Sequence, residues 1–354
     1  MSVKKVLVIR FRRIGDAVLS VVICSSIRKS FPEAEIHYVL NDHIAPLFEN
    51  HPDIDKIITF SNEENNHFFK YLRKVRQLMK TERYDVIIDT RATIKTLWFS
   101  AFSLRTKYRI GTSKFYNHFF HNYRVRNHVN DDLDEVVRNL LLLRPLERER
   151  KLIMTTDFRL YVTEQETAEF KSYMEQEGIN FSRFIVVCTP FTRVAGKAWD
   201  MAKMKEILSR IIQRYGAQLI FNYSRIEKEA ALALYEDMGK DEHIFIDIEA
   251  DSLRKLVSML ETADFFFGNE GGPRHIAQAC HLPGLAIYPP WVELPRWLPS
   301  NDPRYQSVSP FDMFPGQVIE GRTEKELFDL LSVEYVWERL QPMMDEAFIN
   351  CAFE

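Results

Sequence analysis

Two segments of the 354-residue chain carry residue types suited to group transfer. The first is Arg10-Phe11-Arg12-Arg13-Ile14-Gly15-Asp16, directly after the apolar run Val6-Leu7-Val8-Ile9. A carboxylate at the end of a first buried strand, with Gly15 easing the turn, can serve as a helix N-cap. The same Asp16 carboxylate can take a proton from an attacking hydroxyl. The second is Asn269-Glu270-Gly271-Gly272-Pro273-Arg274-His275, after Phe265-Phe266-Phe267-Gly268. Gly271 and Gly272 let a ligand approach the backbone, and Pro273 suits the first turn of a helix. The free N–H groups of that turn suit a diphosphate. Glu270 could then accept a ribose or sugar hydroxyl, and His275 could donate to a phosphate. With no ligand, the same residues describe a tight strand-to-helix turn.

Three further stretches bear on chemistry. Thr189 to Trp199 follows the first strand of the second half, and its Thr192 and Lys197 suit a phosphate. Lys197 could neutralise charge on a leaving diphosphate, or be an ordinary solvated lysine. Ala198 after Gly196-Lys197 excludes a P-loop, and the lack of a G-x-G-x-x-G argues against a nicotinamide enzyme. Asp53-Ile54-Asp55 has the D-x-D spacing of metal-dependent sugar transferases, but its place after His51-Pro52 reads as turn chemistry. Thr90 to Asn130 holds no Asp or Glu, and its cations from Arg91 to Arg126 alternate with aromatic residues. This predicts a positive, aromatic surface on which Lys107, Arg109 and Lys114 receive an anionic acceptor near a membrane. The other readings of that stretch are a basic loop over a packed helix and a single-strand nucleic-acid surface.

The elements that position these residues alternate between strand and helix. Strands are predicted over 5–11, 36–40, 54–60 and 84–89, then over 184–188, 218–221, 244–248, 264–267 and 285–288. Amphipathic helical patterns lie between them, which implies an α/β chain with largely parallel sheets. The segment 143–163 reads as the crossing between domains. Thr323-Glu324-Lys325-Glu326 fits a capping box, and an apolar stripe from Leu327 to Leu340 follows. Composition sets the outer limits. Hydrophobic residues at 46% and charged residues at 27% describe an ordinary globular protein. A net charge of -3 carries no global nucleic-acid signature. Cys24, Cys188, Cys280 and Cys351 lack metal-type spacing, which predicts a reduced cytosolic protein. Val3-Lys4-Lys5 runs straight into a strand, so no signal peptide is expected. No apolar run reaches the ~18 residues of a membrane span.

Arg10 to Asp16, the loop ending Lys197-Ala198-Trp199, and Asn269 to His275, in this order, resemble the ADP-heptose:lipopolysaccharide heptosyltransferase family, glycosyltransferase family nine. The resemblance covers roughly residues 3–290. It implies a GT-B fold of two Rossmann-like domains facing across a cleft, over residues 1–160 and 161–322. Residues 323–354 would form a C-terminal helix packing back toward the N-terminal domain. The N-terminal domain would present the acceptor and the C-terminal domain the nucleotide sugar. Transfer would be inverting, with no metal or other cofactor. Asp16 then matches the catalytic base, with Gly15, Arg12 and Arg13 on the acceptor side. Thr192 and Lys197 match residues facing the diphosphate, and Glu227 lies near an acidic residue that contacts the ribose. Gly271, Gly272 and His275 match the donor-binding turn. The partners implied are a nucleotide sugar, an anionic glycolipid acceptor and the cytoplasmic surface of the inner membrane, with no nucleic acid.

The chain also departs from the family pattern. Glu270 stands where Asp is commoner, Gly271 where Ser or Thr is, and Arg274 where an apolar residue is. Arg12 and Arg13 replace small hydroxyl residues. These departures bear on the sugar more than on the reaction type. A UDP- or GDP-linked donor, or a non-catalytic nucleotide- or lipid-binding relative, are the alternatives.

Overall fold

The computed structural model describes residues 3–126, 133–194, 196–292, 294–299, 302–313 and 322–353. The last residues of the acid-free stretch, up to Asn130, lie outside them, as does Ala195. The chain divides into two units, Met1–Tyr161 and Val162–Glu354.

In the first unit the strands are β1 (Lys5–Ile9), β2 (Glu35–Asn41), β3 (Lys56–Phe60), β4 (Val86–Asp89), β5 (Tyr108–Thr112) and β6 (Tyr123–Val125). Their order is β3-β2-β1-β4-β5-β6, every pair parallel. β1 reads Val-Leu-Val-Ile over its last four residues, all fully buried, as a strand covered by helices on both faces requires. Chain direction across the sheet reverses between β1 and β4, which pair Ile9 with Asp89. That reversal opens the crevice where sheets of this kind bind ligands, beyond the carboxyl ends of the strands.

The second unit repeats the plan. Its strands are β7 (Ile185–Thr189), β8 (Gln218–Phe221), β9 (Ile244–Phe245), β10 (Phe265–Asn269), β11 (Gly284–Ile287) and β12 (Tyr305–Val308). They order as β12-β11-β10-β7-β8-β9, again all parallel. The switch point here lies between β7 and β10. These two strands approach closely at Gly268, where a Cβ would stand 2.5 Å from the Thr189 carbonyl oxygen. The helix Met201–Tyr215 covers one face of this sheet. Asp200 caps its start by accepting from the Lys203 N–H at 3.0 Å, and Gly216 ends it at φ 56°.

Where the sequence suggests one C-terminal helix, residues 322–353 form two. The Thr323–Glu326 capping box forms and starts the helix Glu324–Asp329. A second helix, Val333–Phe353, follows. Val336, Leu340 and Met344 are fully buried in the core of the second unit, alongside Ile207 and Ile211. Asp345 accepts from the Tyr215 hydroxyl at 2.8 Å and pairs with Arg214 at 3.0 Å. The apolar side chains of this stripe are thus buried in the core of the second unit. Each such side chain contributes about 1.5–3 kcal/mol there.

Candidate active site

On the first sheet, Asp16 lies in the opening turn of the helix Ile14–Ser20 and is buried. It is not the N-cap. That position belongs to Arg13, which makes no side-chain capping bond. Nor does Gly15 ease the turn, because it already lies inside the helix. The unusual backbone falls on Arg12 (φ 73°) and Arg13 (φ 21°). Non-glycine residues in that region carry strain of about 1–3 kcal/mol each. Both side chains are exposed.

The Asp16 carboxylate accepts a hydrogen bond from Arg10 Nη2. The same nitrogen lies 3.5 Å from Glu135 Oε1. Arg10 Nη1 donates to Thr90 Oγ1 at 3.2 Å, and Thr90 donates on to the Ile9 carbonyl at 2.8 Å. Arg10 follows β1 and Thr90 follows β4, so this chain of bonds bridges the switch point. Asp89 shapes the next turn by accepting from the Arg91 and Ala92 N–H groups at 3.1 and 2.8 Å. Arg91 is half-buried, and burial together with Arg10, Arg12 and Arg13 lowers its pKa, against the pull of Asp16. Two buried carboxylates, Asp16 and Glu135, thus share Arg10. Arg10, Thr90 and Glu135 join the site with no role assigned to them by the sequence motifs, and Arg91 is one of the cations of the acid-free stretch. A signal existed for Arg10, since a cation directly after a wholly apolar strand must be paired to be buried.

On the second sheet, Lys197 and Glu270 meet at 2.8 Å, one from the loop after β7 and the other from the turn after β10. Asn269 ties those two segments together. Its Oδ1 accepts from the Trp199 N–H at 2.9 Å, and its Nδ2 donates to the Pro190 carbonyl at 2.6 Å. The Trp199 indole donates to the Leu331 carbonyl at 3.2 Å, so the C-terminal segment braces the same loop. The helix Gly272–Ala279 starts directly after, with Gly271 extended before it. A Cβ on Gly271 would meet only Pro273 Cδ, at 3.7 Å, so the fold itself has room for a side chain there.

His275 is buried beside Arg274, whose Nη2 lies 2.9 Å from His275 Nδ1. Arginine can only donate, so Nδ1 accepts and the ring proton sits on Nε2. Burial, with Arg274 adding to it, holds the His275 pKa well below its ordinary value, so the ring is neutral at pH 7. Arg274 also donates to Gln278 at 2.5 Å and to the Trp297 carbonyl. The other donor-side residues are engaged locally. Thr192 donates to the Val194 carbonyl at 2.9 Å. Glu227 closes a capping box on Ser224, accepting from its N–H at 2.6 Å and its hydroxyl at 2.5 Å.

Two of the three cations expected to receive an acceptor do other work. Arg109 on β5 is buried, and its guanidinium donates to the Leu104, Thr106 and Phe120 carbonyls at 2.6–2.7 Å. Lys107 pairs with Glu149 at 2.5 Å. Lys114 stays partly exposed, its Nζ 6.0 Å from the Tyr116 ring centroid. Of the D-x-D residues, Asp55 accepts from the Ile36 N–H and from Arg28, both at 2.6 Å, which is turn chemistry. Among the described residues, Glu35, His37 and Glu82 bring metal-type ligand atoms within 4.8 Å of one another. Lys5 bonds both of those carboxylates, at 3.0 and 2.5 Å, and so supplies the positive charge there.

Residues 72–302 match Glycosyltransferase family 9 (heptosyltransferase). The chain is 24% identical over 298 residues to lipopolysaccharide heptosyltransferase 3 of Escherichia coli strain K12, covering 79% of this chain and 83% of that one. Among solved structures, it resembles a glycosyl transferase family 9 protein from Veillonella parvula, with a TM-score of 0.82, 15% identity and 98% of both chains covered. It also resembles the ADP-heptose LPS heptosyltransferase II of E. coli, with a TM-score of 0.71, 18% identity, and 98% of this chain and 99% of that one covered. The two parallel sheets and these neighbours give the chain the GT-B class of α/β fold.

Proposed function

Since the chain belongs to glycosyltransferase family 9 (heptosyltransferase), we propose that it moves a heptose from ADP-heptose to an inner-core lipopolysaccharide acceptor, with inversion and without a metal. The observation that carries the reading is the buried Asp16 carboxylate held by Arg10 at the switch point of the first sheet. In the proposed step, Asp16 takes the proton of the acceptor hydroxyl as that oxygen attacks the anomeric carbon. Attack comes opposite the ADP group. The new C–O bond forms while the bond to the diphosphate oxygen breaks, and the electron pair leaves with ADP. Asp16 later returns the proton to water.

Lys197 and the free N–H groups of the helix Gly272–Ala279 take up the charge growing on the diphosphate. Lys197 exchanges Glu270 for phosphate, and Glu270 turns to a hydroxyl of the donor. Neutral His275 offers its Nε2–H, and Thr192 and Glu227 complete the donor side by small rotations. Arg12, Arg13, Arg91 and Lys114 suit an anionic acceptor. The names of the relatives support the acceptor class, and a lipid-borne acceptor fits an enzyme working peripherally at the cytoplasmic face of a membrane.

The test is transfer from ADP-heptose to a deacylated inner-core saccharide in the presence of EDTA. Asp16→Asn keeps the shape of the side chain and should bind ADP as the parent does. Its turnover should fall about 10²–10⁴-fold. Parent-like turnover would remove Asp16 as base. Preference for UDP- or GDP-sugars would remove the heptose donor, and a strict metal requirement would remove the metal-free step.

A further inference from the structure

Several large apolar side chains of the first unit stand almost free in water. Phe115 is 90% exposed, Phe69 83%, Phe119 75% and Ile94 71%. They belong to the crossovers that follow β5, β3, β5 and β4 respectively; Phe115, Phe69 and Ile94 stand near the strand ends, on the carboxyl edge of the sheet that also carries Asp16, and Phe119 follows in the turn that leads on to β6. Side chains of this kind scattered singly are ordinary, but a group along one edge marks an interaction surface.

The three crossovers are joined to one another. Lys95, after β4, donates to the carbonyl and side-chain oxygens of Asn65, after β3, at 2.8 and 2.6 Å. The Tyr116 hydroxyl, after β5, donates to the Ala92 carbonyl, after β4, at 2.9 Å. Phe68 packs edge-on against Phe69 and Trp98, at 5.7 and 6.2 Å between centroids. The exposed rings are therefore presented by a connected layer.

Charge narrows the occupant. The described residues of these crossovers carry no acid from Thr90 to Arg126. Glu63 and Glu64, in the neighbouring turn, are paired with Lys70 and Lys74. Arg12 and Arg13 are exposed on the same edge, and Lys114 is partly so. Exposed aromatic rings interleaved with cations suit the headgroup layer of an anionic bilayer, where rings enter the interface and cations meet lipid phosphates.

We propose that the crossovers after β3, β4 and β5 form one surface that docks on an anionic lipid membrane, with Phe69, Phe115 and Phe119 entering the headgroup layer. The surface deepens the glycolipid reading given above, because it brings the edge carrying Asp16 to the plane where a lipid-borne acceptor lies. Its physical test is independent of transfer.

The full-length chain is sedimented with phosphatidylcholine vesicles containing phosphatidylglycerol, at low salt, beside a Phe69→Ser, Phe115→Ser, Phe119→Ser variant. The parent should sediment with the vesicles, and the variant's partitioning should fall about ten-fold or more. The variant should keep the parent's melting temperature and its transfer to a deacylated, water-soluble acceptor. A parent that stays in the supernatant, or a variant that sediments equally, overturns the proposal. So does a concentration-dependent dimer of the parent that the variant dissolves, which would assign the face to a second copy. A chain that docks through these rings but transfers no sugar keeps the surface and removes the enzymatic reading. One that transfers but does not dock does the reverse.

Discussion

Arg10 donates to Asp16 and lies 3.5 Å from Glu135, so an Arg10→Met variant leaves two buried carboxylates without their shared cation. Removing one partner from a buried ion cluster costs about 3–5 kcal/mol. Urea unfolding should show a loss of that size. An unchanged midpoint would remove Arg10 from this role. Arg10 gives the buried Asp16 carboxylate a hydrogen-bond partner. That partner cannot itself lose a proton at working pH.

At the scale of elements, the approach of β10 to β7 decides where Lys197, Asn269 and Glu270 stand. Gly268→Ala places a methyl group 2.5 Å from the Thr189 carbonyl oxygen and 2.7 Å from its nitrogen, and backbone cannot swing aside. The expected result is a loss of about 1–3 kcal/mol from overpacking together with weaker ADP binding. Isothermal titration and thermal melts check both, and parent-like values would show that the strands separate without moving the turn. This geometry was legible in the sequence only as the motif Gly268 to His275. Strands β1 to β4 and β7 to β11 were legible too, as apolar runs ended by turn residues. β5, β6 and β12 were not. β5 contains Arg109, whose burial depends on carbonyls of Leu104, Thr106 and Phe120 that only the folded turn brings together. β6 is three residues long, and β12 reads Tyr-Gln-Ser-Val at a sheet edge. For the same reason, the positive stretch from Arg91 to Arg126 gave no hint of which cations face water. Pairing partners as distant as Glu149 settle that.

At the scale of the whole molecule, four buried histidines set the response to acid. Burial is the leading cause that lowers the pKa of His37, His51, His121 and His275 from the ordinary 6.5. A group depressed in the folded state contributes stability that is complete above its unfolded pKa and is lost as pH falls, because the unfolded chain takes the proton first. Each should remove up to about 1.4 kcal/mol per pH unit as pH falls from about 6.5 toward its lowered folded value. Glu82 and Glu166, pushed down to about 2 by Lys5 and Arg254, act by the same sign at lower pH, from about 4.5 downward. Melting temperature should therefore already be falling between pH 6.5 and 5, and a flat profile there would contradict the buried neutral histidines. The repeated strand order has a consequence of another kind, during synthesis. β1 is made first yet sits at the middle of its sheet, and its partner β4 begins at Val86. At roughly 5–20 residues added per second, Val6 to Ile9 leave the ribosome roughly 4–16 s before that partner. The second unit repeats the delay, since β7 begins at Ile185 and waits for β10 at Phe265. The most apolar strands of the finished protein are thus its most vulnerable segments while it is being translated, and they are natural clients for a chaperone waiting at the exit tunnel.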